Sequence, residues 1–110
     1  MFNDWKDKFR VATQGNEFVA KVADATSEEP WGPTGPQMEE LSNIFCEGRV
    51  EIVQELQNRL ENRKSSWRKC YKSLLVIDHL LRNMPDMFID DIRMMAPIIQ
   101  NISSSFHYTD

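Results

Sequence analysis

Between Arg59 and Lys72 the chain places six of its 13 lysines and arginines (Arg59, Arg63, Lys64, Arg68, Lys69, Lys72) against Glu61, one of 17 acids. Arg59 and Arg63 are four residues apart, as are Arg68 and Lys72, so each pair shares one face of a helix. Lys64 and Lys69 fall at the junction of two expected helices. Cations converging from two helix ends can hold a multiply charged phosphate through charge-assisted hydrogen bonds. The alternative for such a cluster is a solvated helix–helix corner. The formal net charge is −4, so the rest of the chain is strongly acidic. A basic island on an acidic body meets one anionic surface in one orientation, while the net charge of −4 argues against a general nucleic-acid binder.

A second set of candidates lies at the chain start. Phe2, Trp5, Phe9 and Ala12 follow helical spacing, with Lys8 and Arg10 between them. The stripe suits either an interfacial helix that inserts Phe2, Trp5 and Phe9 into a bilayer, or a first helix packed on the core. Burying each large side chain contributes about 1.5–3 kcal/mol. Lys6, Lys8 and Arg10 each contribute about 1 kcal/mol near an anionic membrane, and Asp4 and Asp7 oppose them. Ordering some ten residues costs roughly 1 kcal/mol of backbone entropy each. Insertion is therefore marginal without a headgroup to hold the basic island.

Other reactive residue types lack partners. Asp90-Asp91 and Glu39-Glu40 have no base or nucleophile nearby and read as solvated helix faces. Ser103-Ser104-Ser105 lacks the glycine elbow and charge relay of a nucleophilic serine. Cys46 and Cys70 fall in apolar periodic segments and read as small core residues in a reducing compartment. With His79 and His107 as the only histidines and no close Cys/His spacing, no zinc site is expected. The expectation is a protein that is not an enzyme and needs no metal or cofactor.

The elements that must position these residues read as helices throughout, with no sustained period of two and no hairpin signal. Residues 1–14 form the amphipathic N-terminal segment, lipid-induced or packed. Gly15-Asn16 punctuates it, and a core helix carrying Phe18, Val19 and Val22 runs to about Ala25. Thr34-Gly35-Pro36-Gln37 predicts a capping box with proline in the first turn. The helix it starts buries Met38, Leu41, Ile44 and Phe45 and ends at Gly48. The next spans Arg49 to Asn62 with Val50, Val53, Leu56 and Leu60 inward, and Ser65-Ser66 caps another over 67–82. Asn83-Met84-Pro85 stops that one. A last helix follows from Asp86, with Phe88, Ile89, Ile92, Met95, Ile98, Ile99 and Ile102 inward and a kink or break near Met94 imposed by Pro97. Residues 103–108 read as the start of a loop. No apolar stretch reaches the roughly 18 residues that span a bilayer.

Pro30-Trp31-Gly32-Pro33 separates the first two core helices. Two prolines fix φ and the glycine opens backbone conformations closed to other residues, so Trp31 projects into whatever packs around the turn. Trp31, Trp67 and Tyr71 are expected to be structural, packed in the core.

This turn, together with Trp67-Arg68-Lys69-Cys70-Tyr71-Lys72-Ser73-Leu74-Leu75, resembles the epsin N-terminal homology (ENTH) family, the phosphoinositide- and membrane-binding module of clathrin adaptors. The opening Met1-Phe-Asn-Asp-Trp-Lys6 and Phe88-Ile-Asp-Asp-Ile-Arg93 are similar to its epsin-related trans-Golgi and endosomal subfamily. The resemblance implies a right-handed superhelix of stacked helices, ENTH/VHS-like, with residues 15–110 forming the core. The family continues past the position of Asp110 into a last helix, so the expected superhelix lacks that helix.

The resemblance also implies a function. Family members bind phosphoinositide headgroups between the N-terminal helix, which folds on the lipid, and basic residues near the third and fourth helices. Carried over by position, the ligands are Arg59, Lys69 and Lys72, with Lys64 beside a further ligand position now occupied by Ser65, and Lys8 or Arg10 from the N-terminal helix. Ala23 stands where lipid-binding members carry arginine, and Glu28 where they carry a neutral polar residue. Each change weakens such a site by about 1–3 kcal/mol. The alternative is a module whose surface grips SNARE cargo with weak or no phosphoinositide specificity. Clathrin and adaptor binding is expected only through segments absent from this chain. The implied location is cytoplasmic, peripheral on trans-Golgi, endosomal or plasma membrane.

Overall fold

The computed structural model describes residues 8–11 and 16–107, with side chains through Ile102. The described part is helical: residues 8–11, then α1 (Glu17–Ala25), α2 (Gly35–Glu61), α3 (Trp67–Asn83) and α4 (Pro85–His107). Phe2, Trp5 and Ala12 lie outside the described residues.

Local chemistry sets most boundaries. Asn16 Oδ1 accepts from the amides of Phe18 (2.9 Å) and Val19 (3.1 Å), capping α1. At α2 the capping box forms in both directions. The Gln37 amide donates to Thr34 Oγ1 at 3.2 Å, and the Thr34 amide donates to Gln37 Oε1 at 2.9 Å. Ser66 Oγ accepts from the Lys69 amide at 3.3 Å and starts α3.

α1 packs on α2, α2 on α3, and α4 closes against both α3 and α2. Their inward faces build one core of Val22, Leu41, Phe45, Ile52, Leu56, Leu60, Val76, Leu80, Phe88, Met95 and Ile102. Phe45 of α2 and Phe88 of α4 meet edge to face, with centroids 5.5 Å apart.

Several expectations are corrected. Gly48 does stand at a break: two helical stretches meet there across a kink within α2, with Gly48 non-helical at φ −112° and ψ 25°. Gly48 is buried, and a methyl group there would fall inside the Phe18 ring. The glycine serves a close approach of α1 as well as the kink. The kink also turns the register, so Val50 is 61 % exposed while Ile52 is fully buried. Pro97 lies on the exposed side of a helix that continues past it, where loss of one donor is tolerated. Residues 103–107, expected as a loop, prolong α4, because burial of Ile102 and packing of Ile98 and Ile99 hold the preceding turns. Ile89 and Cys46 are exposed, whereas Cys70 is buried. Asp91 is no solvated carboxylate: it is 8 % exposed and pairs with Arg49 at 2.9 Å, tying α4 to α2.

Candidate functional site

Ser66 sets the direction of the first turns of α3, and those turns carry Arg68, Lys69 and Lys72. Lys72 Nζ donates to the carbonyls of Glu29 and Trp31, each at 2.6 Å. Arg68 Nη1 donates to the Glu28 carbonyl at 2.7 Å. Three carbonyls from residues 28–31 are thus drawn onto two cations one helical turn apart. The two stretches that stand out in the sequence meet here, and cation-to-carbonyl bonds join them. Gly32 at φ 87° makes the turn possible, and its α-carbon faces Gln37 Oε1 and Lys72 Nζ.

This geometry corrects the expected role of the aromatics. Trp31 is 57 % exposed, Tyr71 52 % and Trp67 46 %. The turn is pinned through its backbone, so its indole is left at the surface, with Lys72 Nζ 6.0 Å from the ring centroid. Tyr71 and Trp67 lie on the outward face of α3 because Cys70, Ser73, Val76, Ile77 and Leu80 occupy the inward one.

It also redistributes the expected cations. Lys72 is 3 % exposed and uses two of its three donors on the turn. Burial pushes its pKa below 10.5 and neighbouring Arg68 lowers it further, while Glu29 and Glu28 oppose the shift. Lys69 is 5 % exposed and Arg59 4 %. Arg59 Nε lies 3.6 Å from Glu55 Oε2. Arg10 makes a two-pronged contact with the same carboxylate, Nη2 to Oε2 at 2.7 Å and Nη1 to Oε1 at 3.2 Å. Lys8, Lys64 and Arg68 are exposed. The six cations expected as one open cluster are therefore divided. Lys64 stands at the α2–α3 corner with Arg68, Arg59 faces Glu55 beside Arg10 of the N-terminal segment, Arg63 Nη1 donates to the Leu60 carbonyl at 3.4 Å, and Lys69 and Lys72 are buried against the fold.

A cleft of 390 Å³ opens beside Glu55, lined by Arg10, Asn16, Glu51, Gln54 and Asn58 among others. With two carboxylates to one guanidinium, its walls do not suit a phosphate. Glu55 escaped the sequence reading, although a glutamate four residues before an arginine on one helix is a recognisable pair. Burial raises the Cys70 thiol pKa above 9.0, against a lowering by Arg63, so the thiol is no nucleophile. Among the described residues no group of His, Cys, Asp or Glu could hold a metal ion.

A model of the ENTH domain matches residues 15–110. Epsin-3 of Saccharomyces cerevisiae is 38 % identical over 115 residues, covering 97 % of this chain and 28 % of that protein. Clathrin interactor 1 of Homo sapiens is 32 % identical over 119 residues, covering all of this chain and 19 % of that protein. The chain thus spans less than a third of these relatives. The crystal structure of the human epsinR ENTH domain superposes with a TM-score of 0.73 at 32 % identity, covering 78 % of this chain and 65 % of that one.

Proposed function

The chain belongs to the ENTH domain family, and from that premise we propose that it works as a membrane-adaptor domain in clathrin-mediated trafficking, docking on phosphoinositide-containing membrane. The observation that carries the reading is the exposed cationic corner where α2 ends and α3 begins, with Lys64 and Arg68 beside a turn held rigid by Lys72. A phosphorylated inositol headgroup meets this corner, and Lys8 and Arg10 approach it from the N-terminal segment. Arg10 then exchanges the Glu55 carboxylate for phosphate, a swap between two charge-assisted pairs of similar chemistry. A lipid-bound helix over residues 2–12, which includes the helical residues 8–11, carries Phe2, Trp5 and Phe9 into the interface, and Phe9 is already 61 % exposed. As an adaptor, the domain carries out no reaction.

No helix among the described residues is long and apolar enough to cross a membrane. Attachment in this reading is peripheral, on trans-Golgi, endosomal or plasma membrane. A second reading, recognition of SNARE cargo with little lipid specificity, is favoured by the commitment of Arg10 to Glu55 and of Lys72 to the turn carbonyls.

Co-sedimentation with vesicles carrying single phosphoinositides tests the first reading. Lys8→Ala combined with Lys64→Ala removes two exposed cations worth about 1 kcal/mol each at an anionic surface. Vesicle affinity is expected to fall about 30-fold. Equal pelleting of variant and parent at physiological salt sinks the headgroup site and leaves the cargo reading.

A further inference from the structure

α3 is apolar on two faces, and only one meets the core. Trp67, Tyr71 and Leu75 recur every four residues along the outward face, 46 %, 52 % and 37 % exposed. The Trp31 turn docks on the same helix through Lys72, which follows Tyr71 in sequence, binds the Trp31 carbonyl and lies 6.0 Å from the centre of its ring. A single exposed leucine would mean little, but four large apolar side chains gathered at one end of one helix form an interaction patch. The exposed Asp78–Arg82 ion pair at 3.0 Å closes the row at its far end. Lys64 and Arg68 flank the near end, both exposed. Glu29, beside the turn, is the exposed charge that opposes them.

We infer that Trp31, Trp67, Tyr71 and Leu75 form a second membrane contact, separate from the N-terminal segment, that seats its rings at the headgroup boundary of an anionic bilayer. The inference rests on the membrane reading above. Trp and Tyr combine an apolar ring with a polar tip and concentrate at that boundary. The flanking Lys64 and Arg68 complement anionic headgroups. The row runs along the outer face of one helix, a ridge suited to a planar surface. The Trp31 turn is already fixed by three cation-to-carbonyl bonds, so placing its ring costs little ordering.

The test uses the full chain and vesicles of phosphatidylcholine with phosphatidylserine and a phosphoinositide, some carrying brominated acyl chains. Trp5→Phe/Trp31→Phe leaves Trp67 as sole indole, and Trp5→Phe/Trp67→Phe leaves Trp31. Both emissions are expected to shift to the blue and to be quenched by the brominated lipid. Trp31→Ser/Trp67→Ser/Tyr71→Ser is expected to pellet at least tenfold less with its helical circular dichroism unchanged. If the triple variant fails to fold, the two single-indole proteins decide the matter alone. Unquenched indoles on vesicles that still pellet the parent overturn the second contact and leave the row to a protein partner, with the headgroup reading intact. A parent that pellets with none of the vesicles overturns both.

Discussion

Lys72 shows how a residue's type and its use can part company. Its sequence position suggests a headgroup ligand, yet its ammonium is sealed beneath the turn it holds. Lys72→Met keeps the bulk and removes two charge-assisted bonds while sparing the cost of burying a charge. A net loss of about 1–3 kcal/mol is expected in urea denaturation. The pH dependence has a definite sign. The folded pKa lies below the unfolded value of 10.5, so the folded chain releases this proton first as pH rises. The unfolded chain then binds more protons, and stability grows through the window between the two values. Parent and Lys72→Met, compared from neutral pH to about 10.5, should differ by that rise; parallel curves would contradict it. At Gly32 the φ of 87° leaves little choice of residue, and Gly32→Ala should cost about 1–2 kcal/mol, read as a lowered Tm.

At the scale of elements, the consequential contacts cross between segments far apart in sequence. Gly48 lets the Phe18 ring of α1 lie against the backbone of α2. Gly48→Ala should therefore destabilise by about 1–3 kcal/mol through overpacking, and Phe18→Ala introduced with it should recover part of the loss. If the two losses simply add, the close approach is not the reason for the glycine. Glu55 couples residues 8–11 to α2 through Arg10 and faces Arg59 as well. Glu55→Gln keeps the shape and weakens both pairs. The loss should be about 2–4 kcal/mol, under the full cost of breaking a buried pair because Arg10 is about a third exposed. Tryptic cleavage after Arg10 should quicken roughly tenfold, the population change that about 1.4 kcal/mol produces. An unchanged cleavage rate would show that other contacts hold the segment.

At the scale of the whole molecule, the chain carries a net charge of −4 with the cationic corner included, so the remainder is more acidic still, and the proposed approach to an anionic surface would be oriented before any contact forms. Raising ionic strength from 0.1 M to 1 M shortens the Debye length from about 10 Å to about 3 Å. Vesicle pelleting should fall steeply over that range, to a residual set by the aromatic row and the N-terminal segment. Salt-independent pelleting would mean that apolar burial alone carries attachment.

Much of this protein was legible in its residues. Helical periodicity, the Thr34/Gln37 capping box, the Asn16 and Ser66 N-caps and the turn signature all act locally, between residues close in sequence. Local hydrogen bonds and apolar spacing therefore determined the all-helical class, and the signature pointed to the family. Which cations remained available was a tertiary decision. It depended on where the carbonyls of residues 28–31 and the carboxylate of Glu55 came to lie, up to 45 residues from the side chains that met them. The exposure of Trp31 followed the same logic in reverse. A turn held by its backbone gains nothing from hiding its side chain, and only the packed molecule shows by which end it is held.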